Sequence, residues 1–168
     1  MLRSEVSLLF DHLYWMRDRV LDAADDPVVP FTEKRPATIR DLRATLVHEL
    51  DVEWSWRERL RGDDPTSFSS DDEDLVADDY PTVDSVREHW QRDEAEMRAW
   101  LSSLTDAVLD APCRAEKKVA HPLWFHLQHL YTHGIQQFSD AATVLTGYGR
   151  SPGELDFLQF VGQRRITG

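Results

Sequence analysis

The sequence predicts an all-α protein, a four-helix bundle with a short additional helix at its C-terminus. Apolar residues recur at spacings of three and four over four long segments, which is the period of an amphipathic helix. No segment alternates apolar and polar residues convincingly, as a half-buried strand does. Connectors rich in proline, glycine or acidic residues separate the segments, and four such helices pack most simply as one bundle.

Composition narrows the class of protein further. The 168 residues are most simply a single domain, residues 1–168, with a sizeable core. The formal net charge of −12 disfavours nucleic acid and anionic membrane surfaces as partners. No run approaches the ~20 apolar residues of a membrane span, and the N-terminus is charged where a signal peptide is apolar. Cys113, the single cysteine, excludes an internal disulfide framework and suits a reducing cytoplasm.

The first two helices are predicted at about residues 2–24 and 38–61. The apolar stripe of the first ends at an Asp-Asp-Pro cluster, and His12, beside that stripe, is expected at the surface or the rim. In the second, Thr38 and Asp41 have the spacing of a capping box. Its core stripe is expected to contain Ile39, Leu42, Leu46 and Leu50.

The remaining helices are predicted at about residues 82–104, 122–146 and 151–161. Pro122 suits the first turn of the long fourth helix, which ends before a Gly-Tyr-Gly segment. Ser151 and Glu154 have the spacing of a capping box for the last helix. Apolar side chains away from the main stripe of the fourth helix suggest a second packing surface, as in a homodimer: Trp124, Tyr131 and Ile135.

Two connectors carry chemistry-bearing residues. The loop at residues 63–79 contains eight acids and no Lys or Arg, which predicts a solvated loop or, alternatively, a lid or a surface for a cationic group. Cys113 lies in the connector at residues 105–121. A catalytic thiol would need a base or an electropositive setting there, and Arg114 and two lysines follow it.

The fourth helix carries the strongest functional pattern, His129 and His133. Imidazoles at i and i+4 lie on one helical face about 6 Å apart along the axis, so both can bind one metal ion. The pattern also occurs on helices that bind nothing, and two ligands bind weakly, so a third is needed. His126 is about 10 Å from His133 along the axis and cannot easily share the same ion.

His48, on the second helix, is the candidate for the third ligand. Its helical-wheel position lies nearly opposite the leucine stripe, so periodicity alone predicts that it faces solvent. Val52 and Trp56, on the same side, weakly indicate a second buried face.

The order and spacing of several motifs resemble the DinB/YfiT-like family over almost the whole chain. His48 is followed by Glu53 and Trp56 at the family's spacings of five and eight. The family's His-x-x-x-His-Arg-x-Gln motif has a counterpart in His129, His133 and Gln136. The opening and closing segments of the family resemble Tyr14-Trp15, Gly147-Tyr-Gly149, Pro152 and Leu155-Asp156.

The resemblance implies a bundle whose connectivity differs from simple up-down order, with one divalent metal ion. The implied ligands are His48, His129 and His133, which leave positions open for water or substrate. Zinc and nickel suit this set best, with iron and manganese as alternatives. Where many members have Arg after the second histidine this chain has Gly134, so a substrate contact made through that Arg has no counterpart here.

Three further residues are candidates for support of the ligands. Glu53 or Asp140 would orient a ligand histidine through a hydrogen bond. His126 would do the same or line the pocket, with a structural role as the alternative.

The resemblance also implies a function, a metal-dependent transferase in detoxification or stress response. Its partners would be a small-molecule thiol, such as a bacillithiol-like, mycothiol-like or glutathione-like cofactor, and an electrophile. Two alternatives stay open: a non-catalytic metal-binding, stress-induced protein, and a metal-dependent hydrolase that uses bound hydroxide.

Overall fold

The computed structural model describes residues 1–34, 38–62, 75–113 and 120–166. Over these residues the chain is an all-α bundle with a short C-terminal helix, which confirms the predicted fold class. The helices are α1 (Arg3–Ala24), α2 (Leu42–Arg61), α3 (Val83–Ser103), α4 (Asp106–Asp110), α5 (Leu123–Gly147) and α6 (Phe157–Ile166). A 3₁₀ turn at Ala77–Asp79 precedes α3, and two short strands, β1 (Pro112–Cys113) and β2 (His121–Pro122), pair antiparallel.

The four long helices are not arranged in simple up-down order. α1 packs mainly against α3 and α5, and α2 packs mainly against the same two helices. α1 and α2, although consecutive, therefore lie on one diagonal of the bundle, whereas up-down connectivity would make them neighbours. Because α2 has a neighbour on each side, more than its leucine stripe is covered.

Large apolar side chains from all four long helices fill the core. Phe10 and Leu13 of α1 are almost completely buried, as are Trp90 of α3 and Phe138 of α5, whose rings lie 5.6 Å apart between centroids. A buried ion pair also joins α2 to α3, since Arg57 Nη1 donates to the Asp93 carboxylate and to the Asp93 carbonyl oxygen.

α2 begins at Leu42, later than predicted. Asp41 is its N-cap, because the Asp41 carboxylate accepts a hydrogen bond from Ala44 N at 2.7 Å. Thr38 therefore lies before the helix, and the prediction that it opens α2 is wrong. Ile39, predicted in the core stripe, is 85% exposed because residues before the cap do not follow the helical period.

The C-terminal helix also begins later than predicted. α5 ends in a Schellman motif, with Gly149 at a φ of +73° and Arg150 N donating to Leu145 O. Gly153 has a φ of +81°, which an α-helix cannot contain, so the predicted start at residue 151 is wrong. Asp156 caps α6 by accepting from Gln159 N at 2.9 Å.

The segment around α6 packs back on α1 and buries His12. One ring nitrogen of His12 bonds to Tyr131 Oη at 3.0 Å and the other to Leu155 O at 2.9 Å. His12 is only 2% exposed, so its predicted position at the surface or rim is wrong. The same packing accounts for Tyr131 within one chain, and the homodimer stays a prediction.

The two long connectors are described in part. Of the acidic loop, residues 63–74 lie outside the described residues, while Asp78 and Asp79 are exposed on the 3₁₀ turn. The connector predicted at residues 105–121 contains α4, β1 and the first residue of β2. None of the helices in the described part of the chain is long and apolar enough to cross a membrane.

Candidate metal centre

The packing of α2 on α5 brings the three candidate ligands to one place. The rings of His48 and His133 have centroids 5.3 Å apart, and those of His129 and His133 are 6.2 Å apart. His48 and His133 are half-buried, while His129 is exposed. His48 faces α5 rather than open solvent because α2 is covered on two sides, which the helical wheel alone did not predict.

The donor set fits a divalent metal chemically, and one of its two measured spacings fits geometrically. Two imidazoles on one tetrahedral ion have ring centroids about 5 Å apart, because each Zn–N bond is about 2.0–2.1 Å. His48 and His133 match this spacing, whereas His129 would have to approach His133 by roughly 1 Å. Among the residues the structure describes, no three His, Cys, Asp or Glu side chains are already arranged as a ligand group. Metal binding through all three histidines would therefore require His129 to move.

Glu49, which the sequence reasoning missed, supports one of these histidines. Its carboxylate Oε2 lies 2.5 Å from His133 Nδ1, and its side chain is 2% exposed. The carboxylate thus engages Nδ1, which leaves Nε2 as the nitrogen to face a metal. A signal was present in the sequence, because Glu49, Glu53 and Arg57 repeat at helical spacing beside the leucines of α2.

Burial sets the protonation of this pair. It raises the pKa of Glu49 well above its ordinary value. Burial, and after it the charge of Arg40, lowers the pKa of His133. The lowered pKa of His133 favours the neutral imidazole, which is the form that binds a metal. The raised pKa of Glu49 favours its protonated form, so metal binding at Nε2 would also release a proton from this pair.

The predicted supporting residues lie in other surroundings. Glu53 accepts hydrogen bonds from Tyr14 Oη and from Trp90 Nε1, so its carboxylate faces the core. Among the residues that the structure describes, it makes no hydrogen bond to a candidate ligand. Asp140 is exposed on α5. His126 is buried, and its Nε2 lies 3.4 Å from Cys113 O.

An aromatic side chain links His126 to the candidate ligands. The Trp56 indole stacks on His126 with centroids 5.8 Å apart and meets the His129 ring at a steep angle, 5.3 Å away. The Arg59 guanidinium also lies over Trp56 at 4.8 Å. Trp56 therefore supports His129 through ring contact, and His126 supports Trp56.

Two other polar residues near the histidines differ from the sequence expectation. Gln136, which matches the motif, is exposed, whereas the neighbouring Gln137 is buried with its amide nitrogen 3.5 Å from His133 Nε2. Burial raises the pKa of Cys113, which is the opposite of what an activated thiol needs.

Fold and site together define an all-α bundle with a histidine cluster between two helices. The sequence profile of the DinB superfamily matches residues 6–137, a range that contains all three candidate ligands. The chain therefore belongs to the DinB superfamily, which is consistent with a metal-binding, stress-related protein. No curated protein matches the chain.

Proposed function

We propose that the protein binds one divalent metal ion through His48, His129 and His133 and transfers a low-molecular-weight thiol to an electrophile. The supporting observation is the spacing of His48 and His133, whose rings lie 5.3 Å apart although the residues come from different helices. Membership of the DinB superfamily agrees with metal binding. The transferase chemistry goes beyond what that membership supports and is proposed separately.

The residues of the chain have distinct roles in this scheme. His48 and His133 would hold the ion between α2 and α5, and the exposed His129 would complete the set after moving toward His133. Glu49 fixes the ring of His133 through Nδ1. Three neutral imidazoles would leave the charge of the ion undiminished, so the ion would acidify a bound thiol.

The transfer balances without an oxidant or a reductant. The thiol gives up its proton to solvent, and its sulfur forms a bond to the electrophilic carbon. The bond from that carbon to the leaving group breaks, and the leaving group departs with the electron pair. Because burial raises the pKa of Cys113, that residue is not assigned as the attacking sulfur.

Metal content measured by mass spectrometry tests the site. In protein purified without a nickel column, we expect close to one zinc or nickel ion per chain. A double variant, His48→Ala with His129→Ala, should lose that metal. His89→Ala is the matched control, since His89 bonds to Tyr80 Oη at 2.6 Å and belongs to α3, so this variant should keep the metal. Wild-type protein that stays metal-free after incubation with zinc, nickel and manganese would refute the proposal.

Thiol consumption then tests the reaction. Metal-loaded protein is mixed with mycothiol, bacillithiol or glutathione and an alkyl halide, and free thiol is followed over time. We expect turnover with one of these thiols and none in the double variant. Metal binding without turnover for any thiol would favour the non-catalytic, metal-binding alternative.

A further inference from the structure

We propose that Gly134 and Glu49 act as one positioning unit for His133. In this arrangement the missing side chain at residue 134 provides the space in which the Glu49 carboxylate contacts α5. The role of the unit in metal affinity rests on the proposed function, whereas its effect on the His133 ring in metal-free protein does not.

The first argument is the space itself. A Cβ atom at residue 134 would lie 2.6 Å from Glu49 Oε1 and 2.6 Å from Leu13 Cδ1. Both distances are far below carbon contact distances of about 3.5–4.0 Å. Any residue other than glycine must therefore displace the Glu49 carboxylate, the Leu13 side chain, or both.

The second argument is that a displacement of Glu49 would also disturb His133. Leu13 is 1% exposed and packed in the core. Glu49 is equally buried, and its side chain contacts His133 of α5. Glu49 Oε1 contacts the position of the missing Cβ while Oε2 bonds to His133 Nδ1, so one carboxylate group makes both contacts. A shift of Glu49 away from residue 134 would therefore also change its bond to His133.

The third argument is that the backbone does not require glycine here. Among the described residues only Gly149 and Gly153 have a positive φ, so Gly134 has ordinary helical geometry. Glycine inside a helix lowers its stability relative to alanine. Within α5, a buried glycine of ordinary φ is explained by the close approach of α1 and α2 and not by conformational freedom.

A carboxylate on the outer nitrogen of a ligand histidine has a known physical effect. It fixes the orientation of the ring and raises the basicity of the nitrogen that binds the metal. Loss of such a partner typically lowers metal affinity about 10–100-fold. Gly134 would reach the metal site by this route without contacting it.

The test compares Gly134→Ala, Glu49→Ala and Glu49→Gln with wild type in metal-free protein by NMR. Wild type should show a hydrogen-bonded ring proton of His133, shifted downfield and protected from exchange with water. Gly134→Ala and Glu49→Ala should lose this signal, whereas Glu49→Gln should retain it in weakened form, since an amide can still bond to Nδ1. Gly162→Ala in α6 is the matched control because a Cβ there meets nothing within 4 Å.

Metal affinity is the second readout, measured by competition with a chromophoric chelator for zinc and nickel. Gly134→Ala and Glu49→Ala should each lower affinity about 10–100-fold. The double variant should be no weaker than Glu49→Ala alone, because both changes remove the same bond.

The outcomes separate this proposal from the proposed function. A wild-type ring signal retained in Gly134→Ala would overturn the proposal and leave Gly134 as a packing residue against Leu13. If Gly134→Ala fails to fold, an unchanged ring signal in Glu49→Ala would overturn it equally. Ring signals that change as expected in a protein that binds no metal would support the positioning unit and refute the metal site.

Discussion

Glu53 and Glu49 lie one turn apart on α2, and both are buried, yet their carboxylates meet different partners. Glu49 contacts a candidate ligand on α5, whereas Glu53 accepts hydrogen bonds from Tyr14 and Trp90. Burial, with a further contribution from nearby Asp93, raises the pKa of Glu53 to about 8. Glu53 is therefore a protonated core residue over much of the neutral range.

This pKa predicts a pH dependence of stability. The folded pKa of Glu53 exceeds its ordinary value of 4.5, so the folded state binds the proton more tightly than the unfolded state. The stabilisation is complete below about pH 4.5 and is lost as pH rises toward 8. Relative to Glu53→Gln, wild type should lose stability on the order of a few kcal/mol across this window.

Urea denaturation of both proteins at several pH values between 5 and 8 measures this difference. The slope from groups that do not interact with Glu53 is common to both proteins and cancels, which leaves the titration of Glu53 and its coupling to Asp93 and Glu49. Glu154→Gln, a change at an exposed glutamate, is the control and should track wild type. A difference between wild type and Glu53→Gln that is constant with pH would contradict the prediction.

Single residues also show where sequence reasoning succeeds and fails. The i,i+4 spacing of His129 and His133 is a local property of one helix, so the sequence predicts their shared face. The position of His48 depends on which helices flank α2, and the partner of His133 depends on how α2 and α5 are aligned along their axes. The helical period contains neither quantity, so the sequence analysis does not identify Glu49 and assigns its role to Glu53 or Asp140.

The start of α2 shows how two polar residues compete to define one helix end. Thr38 and Asp41 both have cap-forming side chains, and the sequence predicts the start at Thr38 because Asp41 has the spacing of its capping-box partner. In the structure Asp41 accepts from Ala44 N, and its backbone carbonyl accepts from Thr45 N and Oγ1. Propensity permits both starts, and tertiary packing of the helix decides between them.

Substitution at the two positions separates these starts. Asp41→Ala should lower the free energy of unfolding by about 0.5–2 kcal/mol, because the first turn of α2 loses its cap. Thr38→Ala should lower it by clearly less, since residue 38 lies before the helix. Chemical denaturation measures both values, and an equal or larger loss for Thr38→Ala would restore Thr38 as the helix start.

Residues near the C-terminal end of the described chain contact the first helix, α1. The segment that follows α5 lies along α1, where Leu155 O bonds to His12, Pro152 O accepts from Arg19 Nε, and Gln163 accepts from Trp15 Nε1. The bundle class follows from helical periodicity alone. These contacts join residues more than 130 positions apart, and no local pattern encodes them.

The contact through His12 should hold this segment in place. His12→Ala removes its bonds to Tyr131 and Leu155 and leaves a space beneath Phe157 and Phe160, whose rings lie 5.3 Å from that of His12. Backbone amides of α6 should then exchange hydrogen faster while those of α3 stay unchanged. His89→Ala is the control for loss of a histidine–tyrosine bond elsewhere. Equal acceleration in all helices would mean that His12 supports the whole core instead.

The meeting of Leu13, Glu49 and Gly134 at one point has an evolutionary consequence. Leu13 and Glu49 fill the space beside Gly134, so the residue that fits at position 134 depends on positions 13 and 49. A lineage that acquires a side chain at residue 134 must shorten or redirect residue 13, residue 49 or both, and where residue 49 changes, its histidine needs another partner. The crossing of α1, α2 and α5 thus makes the choice of residue at one position in descendants of this sequence depend on the other two.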